Sequence, residues 1–314
     1  MKTALIYHPV YLRHDTGPSH PERASRLRAI LRKLQKTRLI EDLRLFEPEA
    51  ASVDDIALAH DKDYIAGIKD AAKDGLVNLD PDTVISNASF EAALYAAGGV
   101  IKGIDLVLNK EIDNAFVMTR PPGHHAGPSR AMGFCIFNNV AIGAKYIQKS
   151  YKYERILIVD FDVHHGNGTE EIFYEDPGVF YISLHQYPHY PGTGAKEDRG
   201  RGKGEGFNLN LPMPAGSGDK EYIKVFKDTV IPLANNFNPQ FILISAGFDG
   251  HAKDPLSATT LTERGYHEIT HLLKTIKIRG SASDLVPMIS ALEGGYNLFS
   301  LADSVHAHLK ALMA

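Results

Sequence analysis

Six short apolar runs recur along the chain and alternate with stretches of helical character. The runs cover 4–7, 115–118, 156–159, 179–184, 241–245 and 287–291, and helical stretches include 21–34, 89–108, 140–150, 219–234 and 262–277. Short runs that are apolar along their whole length are typical of parallel strands buried on both faces. Strand alternating with helix predicts βαβ units. We therefore expect an α/β fold with a parallel sheet, in a single domain spanning residues 1–314.

The composition is that of an ordinary globular protein, with 44% hydrophobic and 23% charged residues. A formal net charge of −4 provides no global basic surface, so we expect neither nucleic acid nor membrane as a partner. The first apolar run is too short for a signal-peptide core, and no run approaches the roughly 20 residues of a membrane helix. The cytoplasm is therefore the expected location.

The chain has one cysteine and 15 histidines. A single cysteine excludes an internal disulfide framework and any cysteine-based zinc cluster. A metal site in this protein must therefore be built from His, Asp and Glu side chains.

Polar side chains follow five of the predicted strands at the point where each strand ends. They are His124 and His125 after 115–118, Asp160, Asp162, His164, His165 and Asn167 after 156–159, His185 after 179–184, Asp249 after 241–245, and Glu293 and Tyr296 after 287–291. Ligands of parallel α/β sheets bind beyond the carboxyl ends of the strands. Core packing does not require such groups at one rim, so the pattern predicts an active site there.

The spacing Asp160-x-Asp162-x-His164 places three potential metal ligands on one face of an extended segment. Asp249 could complete a three-ligand site. Three protein ligands with an open position are typical of catalytic zinc, although this donor set also suits Mn²⁺ or Fe²⁺. The alternative is that the aspartates only cap the helices that follow. The complete run, including glycines that permit close backbone approach, favours a metal site.

His124 and His125 follow Pro-Pro-Gly, where an irregular backbone allows both rings to face a cleft. A neutral imidazole near activated water can act as a general base and then as a general acid. A histidine pair in a loop is more often solvated, but a metal site on a neighbouring strand favours catalysis. Tyr296, after Gly294-Gly295, could donate its proton to a developing oxyanion, or it could simply be one of the 14 tyrosines that pack.

Four segments together resemble the signature segments of the zinc-dependent histone deacetylase superfamily, which also contains acetylpolyamine amidohydrolases and acetoin-utilisation proteins. They are 120–126, 159–169, 245–249 and 292–298, and 14–23 is similar to the first loop of that superfamily. Glu293 before Gly-Gly-Tyr, and Asn167 where class I relatives have Asp, resemble class II enzymes.

The resemblance implies an arginase-like fold with a central, mostly parallel sheet of about eight strands. It implies Zn²⁺ bound by Asp162, His164 and Asp249, with Asp160 orienting His124. His125 would be the general base and acid, His124 an electrostatic helper, and Tyr296 the group that polarises the acetyl carbonyl. Since the amide of Asn167 supplies no negative charge, the basicity of His125 would be lower than in class I relatives.

The resemblance also implies a structural K⁺, an acyl-lysine tunnel and an internal acetate channel. The matching residues for K⁺ are Asp160, Asp162, His164, Ser183 and Leu184, with a second cation near Phe173, Asp176, Val179 and Phe207. The tunnel residues are Phe134, Tyr190, Leu256, Gly133 and Gly294; His165 and Asn167 would support the site, and Arg23 would line the acetate channel.

Four functions are weighed. The first is hydrolysis of acetyl-lysine in proteins or peptides, and the second is deacetylation of an acetylated polyamine or other small amine. Leu256 follows Asp254-Pro255 where polyamine-selective eukaryotic relatives have an acidic gatekeeper, which counts against the second. Bacterial polyamine enzymes narrow their sites by dimerisation, so a homo-oligomer is compatible with either. The others are a non-catalytic acetyl-ligand sensor and an arginase-type manganese enzyme, which needs further Asp/His pairs.

Three other patterns resemble functional motifs, but we do not assign a function to any of them. His267-Glu268-Ile269-Thr270-His271 matches the zincin motif H-E-x-x-H on a predicted helix. Only three positions are fixed in a histidine-rich chain, so we set a protease aside. The glycine-rich segment 200–206 predicts a solvated loop rather than an anion site, and Cys135 a small buried residue rather than a redox sensor.

Overall fold

The central feature of the computed structural model, which describes residues 1–278 and 285–314, is a sheet of eight parallel strands. The strands are β1 (Thr3–Ile6), β2 (Arg44–Phe46), β5 (Asn114–Val117), β6 (Ile156–Asp160), β7 (Val179–Gln186), β8 (Asn208–Met213), β9 (Phe241–Ala246) and β10 (Met288–Leu292). Their order is β2-β1-β5-β10-β9-β6-β7-β8. A separate antiparallel pair consists of β3 (Val77–Asn78) and β4 (Val84–Ile85).

All six predicted strands are present, within one or two residues at each end. The sheet also contains β2 and β8, its two edge strands, for which the sequence offered no continuous apolar run. Along β8, buried and partly buried residues are mixed, and β2 is largely exposed. Continuous apolar runs mark only strands covered on both faces, so edge strands escape the pattern. The eight-stranded sheet confirms the number implied by the family resemblance.

Helices cover both faces of the sheet. They are α1 (Ser25–Lys36), α2 (Val53–Ile56), α3 (Lys62–Ala71), α4 (Ser89–Leu108), α5 (Asn139–Tyr146), α6 (Asn167–Phe173), α7 (Asp219–Val225), α8 (Ile231–Phe237), α9 (Glu263–Leu273) and α10 (Leu298–Met313). The helix predicted over 219–234 is interrupted by a π-helical turn, Phe226–Val230, between α7 and α8. No helix in the described ranges has the length and apolar character needed to cross a bilayer.

Two hydrophobic layers sandwich the sheet and give a single domain. Alternate residues of one strand enter opposite layers, as Leu157 and Ile158 of β6 do. Helices α1 and α7 to α10 pack on the first layer, and α2 to α6 pack on the second. Because every strand of the sheet runs in the same direction, the loops at their carboxyl ends meet along one edge.

Candidate active site

Asp162 and His164 follow β6, Asp249 follows β9, and all three are buried side by side. Nδ1 of His164 lies 3.1 Å from Asp162 Oδ1 and 3.0 Å from Asp249 Oδ2. One ligand atom from each residue lies within 4.8 Å of the others. The structure therefore brings together the three predicted metal ligands from two separate strand ends.

Glycines leave room for these carboxylates. A Cβ on Gly247 would lie 2.1 Å from Asp162 Oδ2, and one on Gly294 would lie 1.9 Å from Asp249 Oδ2. The Gly294 amide donates to Asp162 Oδ2 at 2.8 Å. Gly294 was predicted as a tunnel residue, but its backbone lies against the metal-ligand carboxylates.

The two aspartates have pKa values shifted in opposite directions. Burial, and next the Asp162 charge, raise the pKa of Asp249 to about 7. Burial opposes ionisation of Asp162 as well, yet His124 and His164 hold the pKa of Asp162 below its usual value. Two buried carboxylate oxygens within 4.8 Å of each other repel unless a positive group lies nearby. Two carboxylates, an imidazole and dense burial fit a catalytic zinc ion, and equally fit Mn²⁺ or Fe²⁺.

His124 and His125 pack against each other with ring centroids 4.0 Å apart. Nδ1 of His124 lies 3.0 Å from Asp160 Oδ2, and Nδ1 of His125 lies 2.8 Å from Asn167 Oδ1. Since an amide oxygen only accepts, His125 carries its proton on Nδ1 and leaves the Nε2 lone pair free.

The two rings have opposite protonation preferences. Burial opposes charge on His124, but Asp160 and then Asp162 raise the pKa of His124 to about 10. Burial, followed by the charges of His124 and His164, lowers the pKa of His125 well below its usual value. The surroundings therefore favour the charged form of His124 and the neutral form of His125.

Tyr296 lies in the turn after β10 and is held by groups from two other segments. Its backbone amide donates to Asp254 Oδ2 at 2.6 Å. The Arg26 guanidinium lies 5.0 Å from the centre of its ring and donates to Gly295 O at 2.6 Å. Burial raises the pKa of Tyr296 well above its usual value, so its hydroxyl keeps the proton it could donate.

The prediction for Arg23 is wrong. Its side chain is exposed, whereas Arg26, one helical turn later, is completely buried beside Tyr296. Both residues lie near the start of α1, and sequence alone did not show which of them turns inward. Helix α1 begins at Ser25, so Arg26 lies on its buried face with Leu27 and Ile30, whereas Arg23 precedes the helix and is not held on that face.

A pocket of about 240 Å³ leads to this cluster. Its lining consists of Asp82, His125, Gly133, Phe134, His164, His189, Tyr190, Leu256 and Tyr296. Four of the predicted tunnel residues, Phe134, Tyr190, Leu256 and Gly133, are therefore at its wall. Gly133 has no room for a side chain, since a Cβ would lie 2.3 Å from the His125 ring.

Asp82 and His189 also line the pocket and were not singled out from the sequence. His189 stacks on His164 with ring centroids 5.2 Å apart and bonds through Nε2 to Leu256 O at 2.9 Å. Along the sequence, Asp82 lies in the connection between β3 and β4 and does not follow a strand of the eight-stranded sheet. The strand-end pattern had no means of finding it, whereas the cluster of histidines at 185–189 was a weak signal for His189.

The remaining predicted residues lie close to the cluster in different ways. Asp160 and Ser183 face each other in register on β6 and β7, and Ser183 Oγ bonds to His185 Nδ1 at 2.9 Å. His165 is buried, with Nδ1 2.8 Å from Thr193 Oγ1 and Nε2 3.3 Å from Glu170 Oε2. Potassium binding by Asp160, Asp162, His164, Ser183 and Leu184 stays a prediction.

The second predicted cation position has an internal positive group nearby. Asp176 Oδ2 lies 2.7 Å from the ammonium of Lys145, which also lies 4.9 Å from the centre of the Phe173 ring. The backbone carbonyls of Phe173, Asp176 and Phe207 each accept a backbone hydrogen bond. Cation binding at this position also stays a prediction.

Comparison with known proteins gives one consistent family. The model of the histone deacetylase domain matches residues 20–312. A probable deacetylase of Archaeoglobus fulgidus is 43% identical over 100% of this chain and 87% of its own length. Histone deacetylase 14 of Arabidopsis thaliana, described as chloroplastic, is 41% identical over 98% of this chain and 76% of that protein. The crystal structure of the HDA15 HD domain superposes with a TM-score of 0.94 at 36% identity, covering 99% of this chain and 88% of that one.

Proposed function

The chain belongs to the histone deacetylase family and is a deacetylase, a hydrolase of amide bonds, and from that premise we propose that residues 1–314 form one catalytic domain acting on acetyl-lysine in proteins or peptides. The observation that carries the proposal is the pocket, in which Phe134 and Tyr190 provide aromatic walls and His125, His164 and Tyr296 lie together. An extended aliphatic chain, such as that of acetyl-lysine, fits between flat aromatic walls, while the polar groups can bond to the amide at its end.

We assign the metal position to Asp162, His164 and Asp249, because one donor atom from each lies within 4.8 Å of the others and two of the three are buried carboxylates. The family is zinc-dependent in general. A bound Zn²⁺ supplies Lewis acidity for the amide carbonyl and for water. The side chains around it contribute the proton transfers and the orientation of the amide.

Hydrolysis forms a bond between the water oxygen and the carbonyl carbon and breaks the carbon–nitrogen bond. Nε2 of His125, neutral and unpaired, takes the proton of the attacking water. The Tyr296 hydroxyl donates a hydrogen bond to the developing oxyanion. His125 then returns its proton to the leaving nitrogen, which gives acetic acid and an amine. The remaining proton of the acid passes to the amine, so the products are acetate and the protonated amine. The positive charge of His124, maintained by Asp160, stabilises the negative charge that accumulates.

A second candidate substrate is an acetylated polyamine or similar small amine. The carboxylate of Asp82 at the pocket wall would attract a second amine of such a molecule. Leu256, which also lines the pocket, supplies no acidic gatekeeper.

A substrate panel tests the choice. We expect kcat/KM to be highest for acetyl-lysine peptides, lower for longer acyl-lysines, and lower again for acetylspermidine and acetylputrescine. A preference for the acetylated polyamines would replace the proposed substrate with the second candidate. Inactivity on every compound after loading with zinc, cobalt or manganese would indicate an acetyl-ligand sensor.

A further inference from the structure

Glu293 is a buried carboxylate that the proposed chemistry does not use. It directly follows β10, and its side chain is completely shielded from solvent. Its Oε2 accepts hydrogen bonds from two consecutive backbone amides, Gly123 N at 2.6 Å and His124 N at 3.2 Å. Its Oε1 accepts a longer bond from Ser245 Oγ at 3.4 Å. The carboxylate thus joins the end of β10 to β9 and to the loop that follows β5.

We propose that Glu293 is a positioning residue, which acts by fixing the backbone under His124 and His125 relative to Tyr296. The inference rests on the proposed function for the roles of those three side chains. It assigns to Glu293 a contribution to turnover that is made through His124 and His125 rather than by contact with substrate.

The loop that carries the two histidines needs this support. Strand β5 ends at Val117, so the Gly123 and His124 amides lie beyond the hydrogen bonds of the sheet. Two buried amide donors left without an acceptor are costly, so the loop would move toward another partner.

The turn that carries Tyr296 has separate anchors. The Glu293 amide donates to Ala246 O at 3.0 Å, and Arg26 donates to Glu293 O at 2.5 Å and to Gly295 O at 2.6 Å. These bonds use only the backbone of the turn. A change confined to the Glu293 side chain therefore leaves Tyr296 in place and loosens the histidine loop alone.

A different role for Glu293 has to be distinguished. One ligand atom each from His124, Cys135 and Glu293 lies within 4.8 Å of the others, and all three residues are buried. These residues could instead bind a second metal ion. The positioning role predicts one bound zinc per chain with or without the carboxylate, whereas a ligand role predicts two in the wild type.

The experiment compares Glu293→Gln with Glu293→Met in the full chain. The two replacements have similar length, so both fill the space, but only glutamine keeps an oxygen that can accept from the Gly123 amide. Glu268→Gln and Glu268→Met, on the partly exposed face of α9, are the matched controls. The measurements are kcat and KM on an acetyl-lysine peptide, zinc per chain, and the thermal midpoint.

We expect Glu293→Met to lower kcat by about 10- to 100-fold, the cost of a misplaced reacting group, with KM within about twofold and zinc unchanged. Glu293→Gln should recover most of that loss, and the controls should match the wild type. If the Met variant is not folded by circular dichroism, Glu293→Ala replaces it.

Several results would overturn the inference. They are a wild-type kcat in the Met variant, an equal loss in both variants, or zinc that falls from two per chain to one. A wild type that hydrolyses only another acetylated amine refutes the proposed substrate instead. The same variants are then compared on that amine, which tests the positioning role independently.

Discussion

Two segments of this chain have the residue spacing of a metal site, and only one of them forms a convergent cluster. The segment from Asp160 to His164 leaves a strand and places its side chains against Asp249 from another strand. The segment from His267 to His271 lies on α9, where His267 is 40% exposed and His271 is exposed. The buried side of that helix is formed by other residues, including Ile269 and Thr270.

The difference shows what a metal site requires beyond spacing. Two histidines one turn apart on a helix point the same way, but a third ligand must come from another element. Parallel strands provide it without special arrangement, because several of them end at one edge. His267 and His271 face solvent. In the described part of the chain, no third ligand lies near both of them in the way that Asp249 lies near His164.

The largest expected effect is the loss of a converging ligand. Asp249→Ala should abolish stoichiometric zinc binding and reduce deacetylase activity by about 10³-fold or more, since the Lewis acid contributes several kcal/mol to the transition state. Zinc is measured by elemental analysis of the purified protein. Asp228→Ala, an exposed aspartate, is the control. A variant that retains full zinc would show that the third ligand has been assigned wrongly.

A smaller effect is expected for Tyr296, the proposed hydrogen-bond donor to the oxyanion, which does not bind the metal. Tyr296→Phe removes only the hydroxyl, so zinc should stay bound while kcat falls by about 10²-fold, as for an oxyanion-hole donor. Tyr187→Phe, directly after β7 and 37% exposed, is the matched control. Turnover equal to the wild type in the Tyr296 variant would remove that residue from the mechanism.

The sequence predicted the parts of the fold and site that depend on local pattern. The central strands and the Asp160 to His164 run are read from consecutive residues, which is why their positions agree with the structure. Edge strands β2 and β8 lack a continuous apolar run because one side of each is less covered. Asp82 lies on a connection outside the main sheet, and which of Arg23 and Arg26 turns inward depends on how α1 docks. These features are properties of tertiary packing, which spacing along the chain does not encode.

The inner face of α9 is expected to contribute to stability rather than to catalysis. Thr270 Oγ1 and Ser290 Oγ bond to the two ring nitrogens of the buried His308, at 2.6 and 2.8 Å. Replacing His308 with Leu should lower the free energy of unfolding at pH 7.5 by about 1–3 kcal/mol, since both hydroxyls lose a partner. Zinc content and kcat should be unchanged.

The same ring gives a pH dependence with a definite sign. Burial lowers the pKa of His308 from 6.5 to about 3. Between these values the unfolded chain binds a proton that the folded chain excludes, so the stabilising contribution is complete above pH 6.5 and declines as the pH falls. Urea unfolding at pH 7.5 and pH 5.0 should show the gap between wild type and His308→Leu shrinking by up to about 2 kcal/mol. A gap that is constant or widens at pH 5.0 would mean that the ring is charged in the folded protein.

The smallest expected effect is that of removing the two histidines of the H-E-x-x-H motif on α9, whose spacing matches that of zinc proteases. Replacing both His267 and His271 with Ala leaves the buried face of α9 untouched and introduces residues of higher helix propensity. The free energy of unfolding should therefore change by no more than about 0.5 kcal/mol, with zinc and kcat/KM equal to the wild type. Unfolding, elemental analysis and peptide assays are run beside Asp249→Ala. Loss of zinc from the double variant would show that a metal binds on α9. The contrast between this exposed motif and the ligands that converge at the strand ends would then no longer hold.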